Sequence, residues 1–314
     1  MALAELRIPE ALLAGARDVS DLAYEASVPR DRMRVLIQGG AALGLLKLRG
    51  NRVSLTQRGA AFATVPGLTA MVRHHQAFYR DLSDPVAFFR NEIETELADV
   101  WPYVFSKSEA IPPATARSYS DLMAESQVLV ADDTLQRVRL DDVKILLDVG
   151  GGTGAFLEAV GRSYDSINLH LFDLPVVASD AQTRFSAAGF TDRATISEGS
   201  FKEDELPQGA DAISLIRVLY DHSDETVAQL LKKAYRALPP EGRIIVSEPM
   251  SGGARPDRAT DTYFSLYTLA MRTGRTRSAS EIEAALRDAG FANMHSPTPS
   301  RSYVTRIVEA VKPA

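Results

Sequence analysis

Cysteine is absent from the 314 residues, and basic residues do not outnumber acidic ones. Without cysteine the chain can form neither a disulfide framework nor a thiolate metal site, which fits a reducing cytoplasm. The 35 lysines and arginines face 41 aspartates and glutamates, so the formal net charge is −6. Proteins that bind phosphate backbones normally carry a basic excess. Nucleic acid is therefore not expected as a partner.

Long apolar runs are missing as well. No uncharged stretch approaches the roughly 18 residues that are needed to span a bilayer. The first segment carries Glu5, Arg7 and Glu10 where a signal peptide would be apolar, so no export signal is evident. We expect a soluble protein that can still touch a membrane surface. The length predicts one large domain and a smaller one, and the 45% apolar content is ordinary for a soluble globular protein.

The first predicted domain covers residues 1–70 and has the apolar spacing of helices. A short capped helix is predicted to begin at Ser20, and a second helix to run from about Asp31 to Gly44. The segment LLKLRGNRVSLT then predicts a hairpin turning at Gly50-Asn51. Helix, helix and hairpin in this order predict a winged helix. Its second helix is largely apolar, whereas a DNA-recognition helix needs a polar face, so we expect it to pack against protein.

Residues 71–140 are predicted to form a helical linker. Several prolines interrupt it: Pro85, Pro102, Pro112 and Pro113. It is also rich in aromatic side chains: Phe78, Tyr79, Phe88, Phe89, Trp101, Tyr103, Phe105 and Tyr119. These side chains could form ordinary helical core, or several of them could line an apolar substrate pocket. Both interpretations stay open at this point.

From about Lys144 the pattern changes to alternating strands and helices. The strand segments are KILLDV, NLHLFD, AISLIRV and RIIVSE, and helices are predicted near Ala155–Ser163, Val176–Ala188 and Asp224–Leu238. Such alternation predicts a parallel sheet covered by helices on both faces. FANMHSP and YVTRIVEAV predict two further strands close in sequence, and therefore an antiparallel C-terminal edge. Residues 141–314 are thus predicted to be an α/β domain with a Rossmann-like sheet.

A glycine run follows the first strand of this domain, in ILLDVGGGTGAF. Glycine allows a sharp turn there and lets the backbone approach a ligand closely. Asp173 ends the next strand, where a carboxylate can accept hydrogen bonds from both hydroxyls of a ribose. Gly150, Gly152 and Gly154 have the spacing of methyltransferases, but Gly150, Gly152 and Ala155 also fit a dinucleotide dehydrogenase. The antiparallel C-terminal edge favours the methyltransferase sheet.

Several longer segments resemble one family. LLDVGGGTG, FDLPVV, VLYDHSDE and IIVSEPM occur in the order seen in S-adenosylmethionine-dependent O-methyltransferases of the plant caffeic-acid type and their bacterial relatives. HHQAFYRDLSDPVAFFR, WPYVF, YSDLMAESQ and RVLYDHSDE resemble the carotenoid branch of that family, the demethylspheroidene (hydroxyneurosporene) O-methyltransferases of purple bacteria. The resemblance covers nearly the whole chain. It implies a class I methyltransferase fold and an N-terminal winged helix that serves homodimerisation.

The resemblance also implies site residues. The set expected to bind S-adenosylmethionine is Gly150, Gly152, Gly154, Asp173, Leu174, Ser200, Phe201 and Arg217. Ser200 stands where the family has an acid near the adenine. The set expected to line the substrate pocket is Phe78, Phe89, Trp101, Met123 and Tyr267. No metal is expected, since no histidine–carboxylate spacing typical of a metal site is present.

The catalytic position departs from the family pattern. Most members have a histidine base there, whereas this chain has Tyr220, followed by Asp221 and His222. Glu248 matches the carboxylate that normally orients that histidine, and Thr276 stands in the place of a second orienting glutamate. Tyrosine has an ordinary pKa near 10 and histidine near 6.5, so Tyr220 is expected to position the acceptor hydroxyl, and His222 is the alternative base.

The sequence therefore predicts methyl transfer from S-adenosylmethionine, which becomes S-adenosylhomocysteine, to the tertiary C1 hydroxyl of an acyclic carotenoid. An O- or C-methyltransferase for phenolic, polyketide or tetrapyrrole acceptors is the alternative within the class. A nicotinamide-dependent oxidoreductase and a winged-helix regulator are the alternatives outside it. A cytoplasmic homodimer is expected, and an apolar acceptor suggests peripheral contact with the inner membrane.

Overall fold

The computed structural model describes residues 1–65, 67–100, 124, 126–254 and 256–314. The chain folds into two units, Met1–Ser83 and Asp84–Ala314. Within the described residues, no helix is both long enough and apolar enough to cross a membrane.

The first unit combines short helices with a small antiparallel sheet. Its elements are α1 (Ala2–Glu5), α2 (Ile8–Ala11), β1 (Arg17–Asp18), α3 (Val19–Glu25), α4 (Arg30–Ala42), β2 (Leu46–Arg49), β3 (Arg52–Leu55), α5 (Gln57–Thr64) and α6 (Leu68–Asp81). The strands lie in the order β1-β3-β2. The helix–helix–hairpin order predicted for this region is found, including the turn at Gly50-Asn51. The short helix predicted to begin at Ser20 begins at Val19, and it is capped by the carboxylate of Asp18, which accepts a hydrogen bond from the N–H of Ser20.

The second unit contains a seven-stranded sheet. Its helices are α7 (Pro85–Phe89), α8 (Glu96–Val100), α9 (126–135), α10 (Ala155–Ser163), α11 (Pro175–Ala188), α12 (Asp224–Ala237), α13 (Ser265–Met271) and α14 (Ala279–Asp288). Its strands are β4 (Ile145–Val149), β5 (Asn168–Asp173), β6 (Ala194–Glu198), β7 (Ala212–Ile216), β8 (Arg243–Glu248), β9 (Ala292–His295) and β10 (Arg306–Val311). A 3-10 turn spans Leu219–Asp221, and a π-helical segment, Thr260–Phe264, leads into α13.

The sheet order is β6-β5-β4-β7-β8-β10-β9. The first five strands in this order are parallel, and β10 pairs antiparallel with both β8 and β9. The predicted parallel sheet with an antiparallel C-terminal edge is therefore confirmed. Strand β6 was missed by the sequence interpretation, because this edge strand, ATISE, is only partly buried and lacks a continuous apolar run.

Each face of the sheet has its own apolar core. Leu147 and Val149 of β4 belong to the core that includes α12 and α14, whereas Leu146 belongs to the core that includes α10 and α11. Alternate residues of a strand point to opposite faces, so β4 contributes to both cores. Two covered faces fix the sheet firmly, and the loops that follow the parallel strands are thereby held in place.

Candidate active site

The parallel strands bring five loops to one edge of the sheet. Strand β4 lies between β5 and β7, and the direction in which the strand order runs reverses between β4 and β7. In open α/β sheets ligands bind outside the carboxyl ends of the strands at such a reversal. The predicted cofactor and catalytic residues follow β4, β5, β6 and β7 or end β8, so the fold gathers at one edge residues that are far apart in sequence.

The glycine loop between β4 and α10 combines open space with close packing. A Cβ atom on Gly152 would meet nothing within 4 Å, and its φ of +61° is one that other residues rarely adopt. A Cβ on Gly151 would lie 2.3 Å from Oδ2 of Asp148, and one on Gly154 would lie 2.6 Å from the ring of Phe185. The loop is therefore packed against the protein at Gly151 and Gly154, and it is open at Gly152.

Asp173 holds the glycine loop from the end of β5. Its carboxylate accepts hydrogen bonds from the N–H groups of Gly152 (2.6 Å) and Leu174 (2.7 Å). Burial raises the pKa of Asp173 above its ordinary value, while these two N–H groups act in the opposite direction. The predicted ribose acid thus lies directly beside the predicted loop.

Asp148 lies beneath the same loop and was not singled out in the sequence. It is fully buried, and its Oδ1 accepts a hydrogen bond from the hydroxyl of Ser214 on β7 (2.6 Å). Its Oδ2 has no hydrogen-bond partner within the described part of the chain. Burial raises the pKa of Asp148 to about 7. The signal was an acid inside the apolar strand ILLDV.

The segment after β6 brings an aromatic ring to the loop. The Phe201 ring reaches to 3.8 Å from the position of a Cβ on Gly150. Lys233 of α12 fixes this segment by donating to the carbonyls of Phe201 (2.9 Å) and Asp204 (2.6 Å). Ser200 has no charge of its own, but its N–H donates to the carboxylate of Asp204 (2.8 Å).

Arg217 follows β7 directly and adopts a left-handed backbone conformation with a φ of +60°. Its N–H donates to the carbonyl of Ser247 (2.8 Å), and its guanidinium donates to the hydroxyl of Ser126 on α9 (2.7 Å). A positive φ on a non-glycine residue is sparsely populated and is often found at functional sites. Arg217 is therefore held on both its backbone and its side chain.

Tyr220 lies in the 3-10 turn Leu219–Asp221 and is only 2% exposed. Burial raises the pKa of its phenol well above the ordinary value, although the nearby guanidinium of Arg217 opposes this shift. A phenol of this kind stays protonated at neutral pH. It can donate and accept a hydrogen bond, but it does not provide a phenolate base.

Two acids lie at this turn: Asp221 is its last residue, and Glu248 contacts its backbone. Glu248 is fully buried at the end of β8, and its Oε2 accepts from the N–H groups of Leu219 (2.9 Å) and Tyr220 (3.3 Å). Burial raises the pKa of Glu248 to about 7, and it raises the pKa of Asp221 well above the ordinary value. Glu248 therefore contacts the backbone that carries Tyr220.

His222 packs edge-on against Phe201, with ring centroids 5.1 Å apart. Burial lowers its pKa to about 3, and the positive charges of Lys202 and Arg277 contribute to the shift. A histidine with this pKa is neutral near pH 7 and is a weak base. The geometry places it against the aromatic ring of the predicted cofactor set.

The predicted substrate-pocket residues fall in different surroundings. Phe78 is 4% exposed on α6 of the first unit, and Tyr267 is 5% exposed on α13 of the second. Phe89 on α7 is 65% exposed and borders a surface groove of about 500 Å³ that also includes Leu269. Trp101 and Met123 lie outside the described residues. The pocket as a whole stays a prediction.

Thr276, in the place of the second orienting glutamate, belongs to a cluster of hydroxyls. It is hydrogen-bonded to Ser251 and lies 3.1 Å from the hydroxyl of Ser265. Within the described ranges, no group of three or more histidines, aspartates and glutamates is placed to hold a metal ion.

The family model of the O-methyltransferase domain matches residues 79–292, which is more than half of the chain. The chain belongs to this family. It is an S-adenosylmethionine-dependent O-methyltransferase. The dinucleotide interpretation of the glycine loop and the regulator interpretation of the first unit are therefore set aside.

Two curated relatives resemble this methyltransferase along its length. It is 54% identical over 314 residues to the demethylspheroidene O-methyltransferase of Cereibacter sphaeroides, with 100% of this chain and 83% of the relative covered. It is 50% identical over 310 residues to the enzyme of the same name from Rhodobacter capsulatus, with 99% and 77% covered. The predicted resemblance to this branch is confirmed.

Solved methyltransferase structures share the fold. Human N-acetylserotonin methyltransferase in complex with S-adenosylmethionine superposes with a TM-score of 0.78 at 23% identity, over 100% of this chain and 92% of that one. CalO1, from calicheamicin biosynthesis and bound to S-adenosylhomocysteine, has a TM-score of 0.82 at 25% identity, over 100% and 92%. The predicted class I methyltransferase fold is thus confirmed, while the winged-helix assignment of the first unit stays a prediction.

Proposed function

We propose that this methyltransferase acts on the tertiary C1 hydroxyl of an acyclic carotenoid of the demethylspheroidene or hydroxyneurosporene type. The supporting observation is the 54% and 50% identity to two demethylspheroidene O-methyltransferases. This similarity extends over 99–100% of the chain. It therefore includes the segments outside the cofactor loops, which are the segments in which methyltransferases with different acceptors are expected to differ.

We propose that S-adenosylmethionine binds at the carboxyl edge of the sheet. The open backbone at Gly152 leaves room for a ligand. The half-buried carboxylate of Asp173 can accept hydrogen bonds from ribose hydroxyls, and the Phe201 ring can stack on adenine. We assign Arg217 to the charged methionyl end of the cofactor, because guanidinium groups bind carboxylates strongly. Gly150, Gly154, Leu174 and Ser200 complete the proposed set.

Catalysis is proposed to depend on position rather than on a strong base. The sulfonium of the bound cofactor supplies an activated methyl group. The acceptor oxygen would take the methyl group, the sulfur would keep the electrons of the broken S–CH3 bond to give S-adenosylhomocysteine, and the hydroxyl proton would pass to solvent water. A tertiary alcohol is too weak an acid for histidine to deprotonate beforehand. The buried phenol of Tyr220 can instead hold this hydroxyl in line, with proton loss late in the transfer.

His222 is the less favourable candidate for the base. Its pKa of about 3 makes it a poor proton acceptor, and its ring is packed against Phe201. We propose that it forms part of the wall of the cofactor pocket. Glu248 is proposed to act through the backbone of the turn rather than on the acceptor.

Methyl transfer from S-adenosylmethionine with a labelled methyl group tests the acceptor. The acceptors are acyclic carotenoids with and without a tertiary hydroxyl, and simple catechols. We expect label only in the hydroxylated carotenoids. Rapid labelling of catechols with none of carotenoids would contradict the proposal and favour the phenolic alternative.

We also propose a homodimer formed through the first unit. Large apolar side chains are exposed on this unit, including Tyr24 (87%), Val35 (68%) and Leu43 (70%). Burial of these side chains between two copies would remove them from water. Light scattering of the wild type should give a dimer, and Val35→Glu should give a monomer. Tyr303→Glu, at an exposed apolar residue of the second unit, is the control that should stay dimeric.

A carotenoid acceptor partitions into membranes, so we propose that the enzyme works in the cytoplasm in peripheral contact with the inner membrane. Co-sedimentation with vesicles of anionic and neutral phospholipids tests this contact. Failure to sediment with either kind, with or without carotenoid in the vesicles, would contradict it.

A further inference from the structure

The 3-10 turn that carries Tyr220 is held by more than Glu248. Glu248 accepts hydrogen bonds from the N–H groups of Leu219 and Tyr220. On the carbonyl side, Arg277 donates from one guanidinium nitrogen to the carbonyl of Leu219 (2.8 Å) and from another to the carbonyl of His222 (2.9 Å). These two carbonyls bracket Tyr220 in sequence. At Leu219, just before the tyrosine, the N–H donates to Glu248 and the carbonyl accepts from Arg277.

Arg277 is itself fixed in this place. Its side chain is 3% exposed, and its guanidinium is paired with Asp224 at the start of α12, with the nearest N···O distance 2.6 Å. A buried cation is stable only when its charge is paired and its N–H groups are bonded, and both conditions hold here. The planar guanidinium also donates in several directions at once, which lysine does less well. The contact is therefore rigid and specific for arginine.

Gly274, three residues before Arg277, lies directly against the backbone of the turn. A Cβ atom at this position would lie 2.3 Å from the carbonyl oxygen of Tyr220 and 2.4 Å from the nitrogen of His222. Both neighbours are backbone atoms, which cannot rotate away. The two backbones therefore touch directly, and any side chain at Gly274 would displace the turn.

We propose that Arg277, together with Gly274, positions Tyr220 for methyl transfer by holding the carbonyl side of its turn while Glu248 holds the N–H side. The inference rests on the role of Tyr220 under the proposed function. The phenol oxygen is at the far end of a long side chain, so a small rotation of the turn moves it considerably. A misplacement of about 1 Å at a reacting group can reduce the rate by roughly a hundredfold.

A double-mutant cycle between Arg277→Met and Tyr220→Phe tests this proposal. Each variant is assayed for kcat and KM with the carotenoid acceptor, for the Kd of S-adenosylhomocysteine, and for its thermal unfolding temperature. Arg277→Met should lower kcat about tenfold or more and leave the Kd within about threefold, because the position of the phenol and not the cofactor loop is disturbed. In the Tyr220→Phe background the same substitution should lower kcat by less than about threefold, since the positioned hydroxyl is already gone.

Arg275→Met is the matched control. Arg275 contacts the same Asp224 but, among the described residues, its side chain donates no hydrogen bond to the turn, so kcat should stay within about twofold of wild type. Arg277→Lys, which keeps the charge, should recover part of the lost kcat. If Arg277→Met does not fold, Arg277→Lys and Gly274→Ala are taken through the same cycle.

The outcomes separate the two proposals. Wild-type turnover of Tyr220→Phe would overturn the role of Tyr220 itself. An impaired Tyr220→Phe whose effect simply adds to that of Arg277→Met would overturn the positioning role of Arg277 alone. A lower unfolding temperature of Arg277→Met with unchanged kcat, or a loss of S-adenosylhomocysteine binding in step with kcat, would also overturn it.

Discussion

The two halves of the proposed site, one for the cofactor and one for catalysis, are held together by different kinds of contact. The cofactor half is local: Gly150–Gly154 follow β4 directly, and their main partner is the carboxylate at the end of the adjacent strand, Asp173. The catalytic half is assembled from distant residues, since Glu248 and Arg277 reach the turn of Tyr220 from other elements. The glycine loop can be recognised in a short sequence motif because its conformation depends on neighbouring glycines. The turn of Tyr220 cannot be recognised in this way, because it is held by buried charged residues that are far away in the sequence.

Each half also contains a fully buried acid whose pKa burial raises to about 7, Asp148 beneath the glycine loop and Glu248 beneath the turn. Their partners differ. Asp148 accepts one hydrogen bond, from the hydroxyl of Ser214. Glu248 accepts two, from backbone N–H groups, and it also lies near the positive charge of Arg277. The cofactor half should therefore be the one whose stability depends more strongly on the protonation of its acid.

Asp148→Asn should have the largest effect. The pKa of Asp148 is near 4 in the unfolded chain and about 7 in the folded protein. Protonated Asp148 therefore contributes its full stabilisation of the fold below about pH 4, and this contribution is lost as the pH rises through about 7. Between pH 4 and pH 8 the wild type should lose on the order of 4 kcal/mol more unfolding free energy than the variant. Urea unfolding of wild type and variant at pH 4 and pH 8 measures this difference in unfolding free energy. Asp165→Asn, at the surface, is the control, and equal losses in Asp148→Asn and wild type would contradict the prediction.

Asp173→Ala tests the other acid of the cofactor half. Two ribose hydroxyls would lose a charged acceptor, and the N–H groups of Gly152 and Leu174 would lose theirs. We expect S-adenosylhomocysteine to bind about a hundredfold more weakly, as the loss of roughly 3 kcal/mol implies. Calorimetry measures the affinity, and Asp165→Ala, at an exposed residue before the start of β5, should bind like the wild type. Unchanged affinity of Asp173→Ala would remove this residue from the cofactor site.

Tyr220→Phe moves the comparison to the catalytic half. The ring is kept and only the buried hydroxyl is lost, so turnover of the carotenoid should fall by roughly 30-fold while cofactor affinity changes little. Steady-state kinetics and calorimetry on the same preparation separate the two effects. If S-adenosylhomocysteine binding fell as far as kcat, the two halves of the site would not be independent.

Ser223→Ala should have the smallest effect. The Ser223 hydroxyl caps α12 by accepting from the N–H of Thr226, directly after His222. Loss of this cap should lower the unfolding free energy by about 1 kcal/mol. Because Arg277 and Glu248 form hydrogen bonds directly with the backbone of the turn, kcat should stay close to wild type. A large fall in kcat would show that the turn depends on the helix start and not on these two charged residues.

Sequence patterns predicted most of the second unit. The strands NLHLFD and RIIVSE and the helix Ala155–Ser163 begin and end where they were predicted, because apolar alternation and glycine signals are local and strong there. The π-helical segment Thr260–Phe264 and α13 were not predicted, since they come just after a loop and carry no clear start signal. The helix predicted near Asp224–Leu238 is found at Asp224–Ala237, and the hydroxyl of Ser223 caps its start.

The sequence by itself determined the class of the enzyme, most strands and helices of the α/β domain, and the glycine loop, because each of these depends on residues close together in the chain. Only the tertiary structure decided what surrounds Tyr220 and His222. The pKa values of Tyr220 and His222 depend on burial. The contacts of Glu248, Gly274 and Arg277 with the turn depend on which distant segments the sheet brings to one edge. A charge that is placed by folding leaves no periodic signal along the chain, and so its partner is visible only in three dimensions.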